Sequence, residues 1–345
     1  MKHIGKKRTA AYIFAAAAVI IIGAVVIYDA LSRTDTYETA SVAMGSVLSV
    51  KIYGDNGEEA AEEIIERAQS TETQYISRYK ETSEIYALNE NGTGDLSDFT
   101  AEIISKALEI SENSGGAFDI TIGNLSSLWD FDNEKNTVPS EDEITEALEG
   151  CGYEKITLSG NTCTLGENQT VDLGAVGKGA ACDAAAEVLS GYEIDGAVIS
   201  AGGTVLVYGE NPDNEYWTVG IRTPEKDRED NFATLTVSGT AYISTSGSYE
   251  KSFEEDGVLY HHILSPETGM PAQSGLLSVT VVSGGGLVSD ALSTACFVLG
   301  YESSAALLDM YNAFGIFVTE DKEVLTYGDM TCVFEITDDE YVYGD

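Results

Sequence analysis

Apolar and polar residues alternate from Ala43 to Ile52 (AMGSVLSVKI), the two-residue period of a strand with one buried face. At Gly57 the period changes. Ala60, Ile64 and Ala68 fall on one side of a helix predicted over 57–69. A second helix is predicted over 98–114, capped by Ser97 or Asp98 and stopped by Gly115-Gly116. Residues 139–149 read as a short exposed acidic helix, and 153–165 as a hairpin around Ser159-Gly160-Asn161. Val171 opens a buried strand that passes through Gly174, Gly177 and Gly179 into an alanine-rich helix ending near Leu189. Strands follow at 197–200, 205–208, 217–222, 233–238, 241–247, 259–264 and 276–282, and helices at 289–299 and 303–311. The elements mix without a strict βαβ rhythm, which argues for an α+β fold.

The first forty residues follow a different pattern. Lys2, Lys6, Lys7 and Arg8 precede an uncharged apolar run over 10–28, close to the roughly 20 residues that cross a bilayer. Basic residues on that side place 1–9 in the cytoplasm. The predicted organisation is therefore a cytoplasmic tail (1–9), a single transmembrane helix (10–28), a tether (29–40) and one extracytoplasmic domain (41–345) at the cell membrane. A cleaved signal peptide is the competing reading, but the apolar run is long and no A-x-A site follows it.

With 58 acidic and 18 basic residues the formal net charge is −40, which disfavours nucleic acid and anionic lipid surfaces as partners. An anionic substrate must then be met by local donors or by a divalent cation. The five cysteines include no C-x-x-C, so a zinc or dithiol motif is not indicated. Cys182 and Cys296 lie in apolar helical runs and read as core, while a Cys151–Cys163 bridge stays open.

Candidate chemistry sits at a few places. A strand handing over to a helix through glycine leaves backbone N–H groups free at the helix start, which suits a phosphate; Lys178 adds a charge there and Asp172 a carboxylate. The alternative is an ordinary connection whose glycines only permit tight packing. Asp290 and Thr294, four residues apart on a first helical turn, form either a hard-oxygen site for Mg2+ or a dipole-stabilising Asp beside a back-bonded Thr. His261 and His262 are neighbours on a strand and face opposite ways, so one can act as a general base while the other meets core or solvent. Tyr79 and Phe118 could stack on a planar ring, although single aromatics are usually core.

In order and spacing, eight segments closely resemble the ApbE family of FAD:protein FMN transferases. They are Met44-Gly45, SRYKETSEIYALN (77–89), GGAFDITIGNLSSLW (115–129), VDLGAVGKGAACD (171–183), ISAGG (199–203), ISTSGSYEKSF (243–253), HHILSPETG (261–269) and SDALSTA (289–295). The resemblance implies an ApbE-like, T-fold-related architecture of mainly antiparallel sheets flanked by helices. It implies FAD contacts at Met44, Tyr79, Ala117, Phe118, Asp119, Asp172, Lys178 and Leu264. It also implies Mg2+ at the Ala175 carbonyl with the Asp290 and Thr294 side chains. Relatives often carry glycine where Ala175 stands and usually aspartate where Ser265 stands. The activity implied is Mg2+-dependent transfer of FMN from FAD to a Ser or Thr hydroxyl of an extracytoplasmic acceptor flavoprotein in trans. Asp290 serves that reaction through the metal, and His262 is the candidate base. Hydrolysis of FAD to FMN and AMP, and a non-catalytic flavin carrier, are the alternatives.

Overall fold

The computed structural model describes residues 35–133, 135–328 and 332–344. The predicted transmembrane run over 10–28 lies outside them; among the described residues no helix is long and apolar enough to cross a membrane. The chain opens with strands β1 (Thr36–Ala43) and β2 (Ser46–Tyr53), so the part of the expected tether from Thr36 onward is strand. Helix α1 (Gly57–Ser70) runs straight into a π-helical turn, Thr71–Ile76. After it come α2 (Glu84–Asn91), β3 (Thr93–Asp95), α3 (Asp98–Asn113), α4 (Gly123–Trp129) and α5 (Glu141–Leu148). The predicted hairpin is present as β4 (Thr157–Ser159) and β5 (Thr162–Thr164). Helix α6 (Gly177–Ser190) precedes β6 (Gly196–Ala201), β7 (Thr204–Gly209), β8 (Trp217–Arg222), β9 (Asn231–Val237) and β10 (Ala241–Gly247). A second hairpin, β11 (Ser252–Glu255) with β12 (Val258–His261), leads to β13 (Leu276–Ser283), α7 (Gly286–Leu299) and α8 (Tyr301–Met310). Strands β14 (Phe314–Thr319), β15 (Glu323–Tyr327), β16 (Cys332–Ile336) and β17 (Val342–Tyr343) end the chain.

Nine strands form the main sheet in the order β1-β2-β6-β7-β10-β13-β14-β15-β17. Its pairings are antiparallel except β15 with β17. The mixed, mainly antiparallel sheet flanked by helices is thus present. Alternation along the central strands explains the layering. Val279, Val281 and Phe317 face a helical layer, whereas Val282, Ile316 and Val318 face the small sheet β16-β9-β8. Both faces are covered, so β13 and β14 are buried along most of their length, Ser278 and Thr280 included.

Three local expectations differ. Val171–Leu173 is not a strand, because its backbone groups bond elsewhere. The Asn89 side chain donates to Val171 O (2.9 Å) and accepts from Val171 N–H (2.8 Å), and Asp172 N–H bonds Ile120 O (2.8 Å). The strand expected over 259–264 ends at His261. The helix expected at Ser289 begins at Gly286, so Asp290 lies beyond its first turn. Cys182 and Cys296 are core, as expected, and Cys151 and Cys163 are free thiols.

Helices α6 and α7 cross at glycine. A Cβ on Gly179 would stand 2.1 Å from Gly286 O, and one on Gly286 2.3 Å from Gly179 O. No rotamer relieves a backbone clash, so the helices must separate. Gly179→Ala is expected to cost at least about 2 kcal/mol in chemical denaturation, whereas Gly284→Ala, with nothing within 4 Å, should leave stability near wild type.

Candidate functional site

The crossing of α6 and α7 forms the floor of a cleft. Ten of the residues singled out in the sequence line it: Ala117, Phe118, Asp119, Asp172, Ala175, Lys178, His262, Leu264, Asp290 and Thr294. Tyr79 and Met44 do not line it: Tyr79, 53% exposed, is bonded to the lining residues Arg78 and Asp132, and Met44 packs near the start of α6, with its N–H on Glu72 Oε2 (2.6 Å). The glycine turn and the distant Asp290/Thr294 pair therefore share one site.

Asp290 is buried, and its carboxylate is held from three sides. Oδ2 accepts the Gly179 N–H (2.9 Å), Oδ1 accepts the Thr204 hydroxyl (3.2 Å), and Lys178 Nζ is 3.9 Å from Oδ1. The phosphate-ready N–H groups expected at the start of α6 are thus partly occupied by the chain's own anion. Burial pushes the Asp290 pKa up; Lys178 and the Gly179 N–H oppose that shift. Thr294 Oγ1 lies 3.2 Å from Ser246 Oγ, so it is tied to β10 rather than bonded back along its helix. The oxygen-only set of Asp290 carboxylate, Thr294 hydroxyl and Ala175 carbonyl fits a hard cation such as Mg2+, with water or phosphate completing the sphere. Among the described residues no group of three His, Cys, Asp or Glu could hold a metal, so any such site leans on its neutral oxygens.

Asp119 and Asp172 are also fixed by the framework. Asp119 Oδ1 accepts Thr121 N–H (2.8 Å) and Thr121 Oγ1–H (2.7 Å), and Oδ2 accepts Tyr153 N–H (3.0 Å). Asp172 Oδ1 accepts Gly174 N–H (2.9 Å), and Oδ2 pairs with Arg78 Nε at 3.2 Å. Phe118 is 2% exposed and belongs to the main core, so it serves as a wall and Tyr79 is the accessible ring.

His262 follows β12 at a bend, half-buried, with its Nδ1 unpartnered. Burial, then Lys251, His261 and Lys178, bring its pKa down to about 3, so the imidazole is neutral at pH 7. His261 turns into the core, its Nε2 3.2 Å from Ala272 O and its ring edge-on to Phe297.

Sequence reasoning passed over three residues here. Asp183 accepts Gly286 N–H (2.6 Å) and Leu287 N–H (2.8 Å), closing the first turn of α7 from the neighbouring helix. Arg78 and Lys251 also line the cleft, and Lys251 Nζ pairs with Asp132 at 2.6 Å. All three stand inside the motif segments 77–89, 171–183 and 243–253, but only the fold gives them partners.

The ApbE family model matches residues 44–317. A FAD:protein FMN transferase of Treponema pallidum is 32% identical over 320 residues, covering 85% of this chain and 87% of that protein. One from Klebsiella pneumoniae is 30% identical over 309 residues, covering 86% and 93%. Among solved structures, the ApbE protein of Thermotoga maritima matches with a TM-score of 0.76 at 31% identity, over 88% of this chain and 97% of that one. The flavin transferase ApbE of Vibrio cholerae matches with a TM-score of 0.72 at 26% identity, over 86% and 98%.

The buried His261 carries a pH prediction. Burial lowers its pKa from 6.5 to about 4 in the folded chain. The unfolded chain therefore takes up the proton first as pH falls, so this stabilising contribution is whole above about 6.5 and is lost as pH falls towards about 4. Between pH 7 and 4.5 it should remove about 2 kcal/mol. Denaturation of wild type and His261→Gln at both pH values should show a smaller loss in the variant by about that amount.

Proposed function

The chain belongs to the ApbE family and is a FAD:protein FMN transferase, and on that premise we propose that the cleft moves FMN from FAD to a Ser or Thr hydroxyl of another protein. The observation that carries this reading is the hydrogen bond from Gly179 N–H to Asp290 Oδ2, which brings the Lys178 turn and the Asp290/Thr294 face together in the cleft that His262 also lines. The flavin half of FAD lies against the Tyr79 ring, and its diphosphate lies at Lys178. The acceptor oxygen bonds to the flavin-side phosphorus as the P–O bond to AMP breaks, and AMP leaves with that electron pair. His262, neutral in the free protein and lining the cleft, takes the hydroxyl proton. The Ala175 carbonyl, Asp290 and Thr294 would hold Mg2+, which would supply positive charge to the diphosphate. It also answers how a chain of net charge −40 receives an anion.

The apolar run over 10–28 anchors the enzyme in this reading and sets the cleft on the extracytoplasmic side, where an acceptor flavoprotein is met in trans. Water as acceptor would turn the same site into an FAD pyrophosphatase, and the mass of the acceptor decides between them.

Asp290→Asn keeps a side-chain oxygen for the Gly179 N–H but removes the charge. Covalent flavin labelling of an acceptor, read by intact mass with FAD and Mg2+, should fall by at least about a hundredfold. Labelling at the wild-type rate would defeat the metal assignment. His262→Ala should slow labelling by roughly 10²–10⁴-fold while FAD binding, followed by flavin fluorescence, is retained; an unchanged rate would remove His262 from the chemistry.

A further inference from the structure

Among the described residues that line the cleft, Arg78 is the cation whose hydrogen-bonding capacity is almost fully spent on the protein itself. Its Nε pairs with Asp172 Oδ2 at 3.2 Å, and Nη1 donates to Ser127 Oγ (2.6 Å) and to Gly123 O (3.3 Å). Nη2 donates to the Tyr79 phenol oxygen, and the guanidinium carbon lies 4.3 Å from the Tyr79 ring centroid. One planar group thus joins the turn before α2, the helix α4 and the turn before α6. The side chain is 10% exposed, against 53% for Tyr79.

We infer that Arg78 is the positioning residue for the flavin half of the substrate, locking the Tyr79 ring and the Asp172 carboxylate into one prebuilt wall. The inference rests on the transfer reading above for the identity of the ligand. A Tyr at an exposed rim ordinarily samples several rotamers, and a ligand that stacks on it bears the cost of ordering it. Here the guanidinium covers the ring on one side. The phenol adds a second tie, donating to Asp132 Oδ2 at 3.2 Å. Burial pushes that phenol up to about 12, so it keeps its proton at neutral pH. The uncovered side of the ring is a ready platform for a planar heterocycle. Asp172, fixed between Arg78 and the Gly174 N–H, becomes a stationary acceptor for a ring N–H or a ribityl hydroxyl. Lysine in this position would offer one point charge and no fork, so it could not hold Asp172, Ser127 and Tyr79 together.

The test compares wild type, Arg78→Met and Arg78→Lys for FAD binding by flavin fluorescence, for ADP binding by calorimetry, and for kcat and KM in acceptor labelling. ADP carries the adenosine and the diphosphate without the flavin. The expected result is an FAD affinity lower by about tenfold or more in both variants. KM for FAD should rise in step, with kcat and ADP affinity within about twofold of wild type. Unchanged FAD affinity in folded variants overturns the inference. So does an equal loss for FAD and ADP, which marks general collapse of the cleft, or a loss confined to kcat. If Arg78→Met does not fold, Ser127→Ala removes the 2.6 Å hydrogen bond from Arg78 together with the Ser127 hydroxyl's own bond to Gly123 O (2.9 Å) within α4: FAD affinity must then fall several-fold with ADP affinity retained, and an unchanged FAD affinity overturns the inference. A wild-type chain that binds FAD yet labels no acceptor sinks the transfer reading instead, and the Arg78 affinities remain readable.

Discussion

Helices α6 and α7 each supply the carboxylate that closes the other's first turn. Asp290 of α7 takes the Gly179 N–H, and Asp183 of α6 takes the N–H groups of Gly286 and Leu287. Such an exchange needs backbones close enough for a short side chain to span, and the Gly179/Gly286 contact provides it. The first-turn N–H groups of a helix need acceptors in any case. Meeting them from a neighbouring helix fixes the pair in rotation as well as distance. Because Lys178, Ala175 and Thr294 ride on these same elements, their relative positions follow from the crossing. A shift along α7 would carry Asp290 off Gly179 and Thr294 off Ser246 together.

The same exchange decides the electrostatics of the floor. Burying a carboxylate costs several kcal/mol. A helix N-terminus returns up to about 2 kcal/mol in a partly buried setting, and a hydrogen bond to a charged group about 1.5–3. For Asp290 burial is the leading influence and raises its pKa, with Lys178 and the Gly179 N–H opposing it, and the Mg2+ proposed there would add a further opposing charge. The strongly acidic surface does not enter this balance. Screening confines exposed charges to about 10 Å at ordinary ionic strength, whereas Lys178 lies 3.9 Å from the carboxylate.

How far the chain could be read in advance follows from where its hydrogen bonds go. Elements with a clear local pattern were legible: the 157–164 hairpin, the helix behind Ser97, whose hydroxyl accepts Thr100 N–H at 3.2 Å, and strands β2, β6, β7, β10 and β13 of the main sheet, whereas β1, β14, β15 and β17 were not read as strands. Failures occur where a distant side chain replaces a backbone partner. Val171 has strand-like residues but spends its bonds on Asn89, 82 positions away. The start of α7 carries no cap of its own, because its cap is Asp183, 103 residues earlier. No window of sequence contains that information. The cleft-lining positions came chiefly from ordered motifs, whereas Asp183 and Arg78 act through partners that only the folded chain identifies.

The state of His262 links the floor to the proposed transfer. With a pKa near 3 in the free protein, the imidazole is neutral but a poor proton acceptor, and the adjacent Lys251 and Lys178 charges are part of the reason. A diphosphate placed among those lysines adds negative charge where they now repel an imidazolium. In the proposed reaction, substrate binding would therefore shift the imidazole towards protonation, and the cation proposed at the same diphosphate would oppose that shift, so the strength of the base follows the charges its substrate brings.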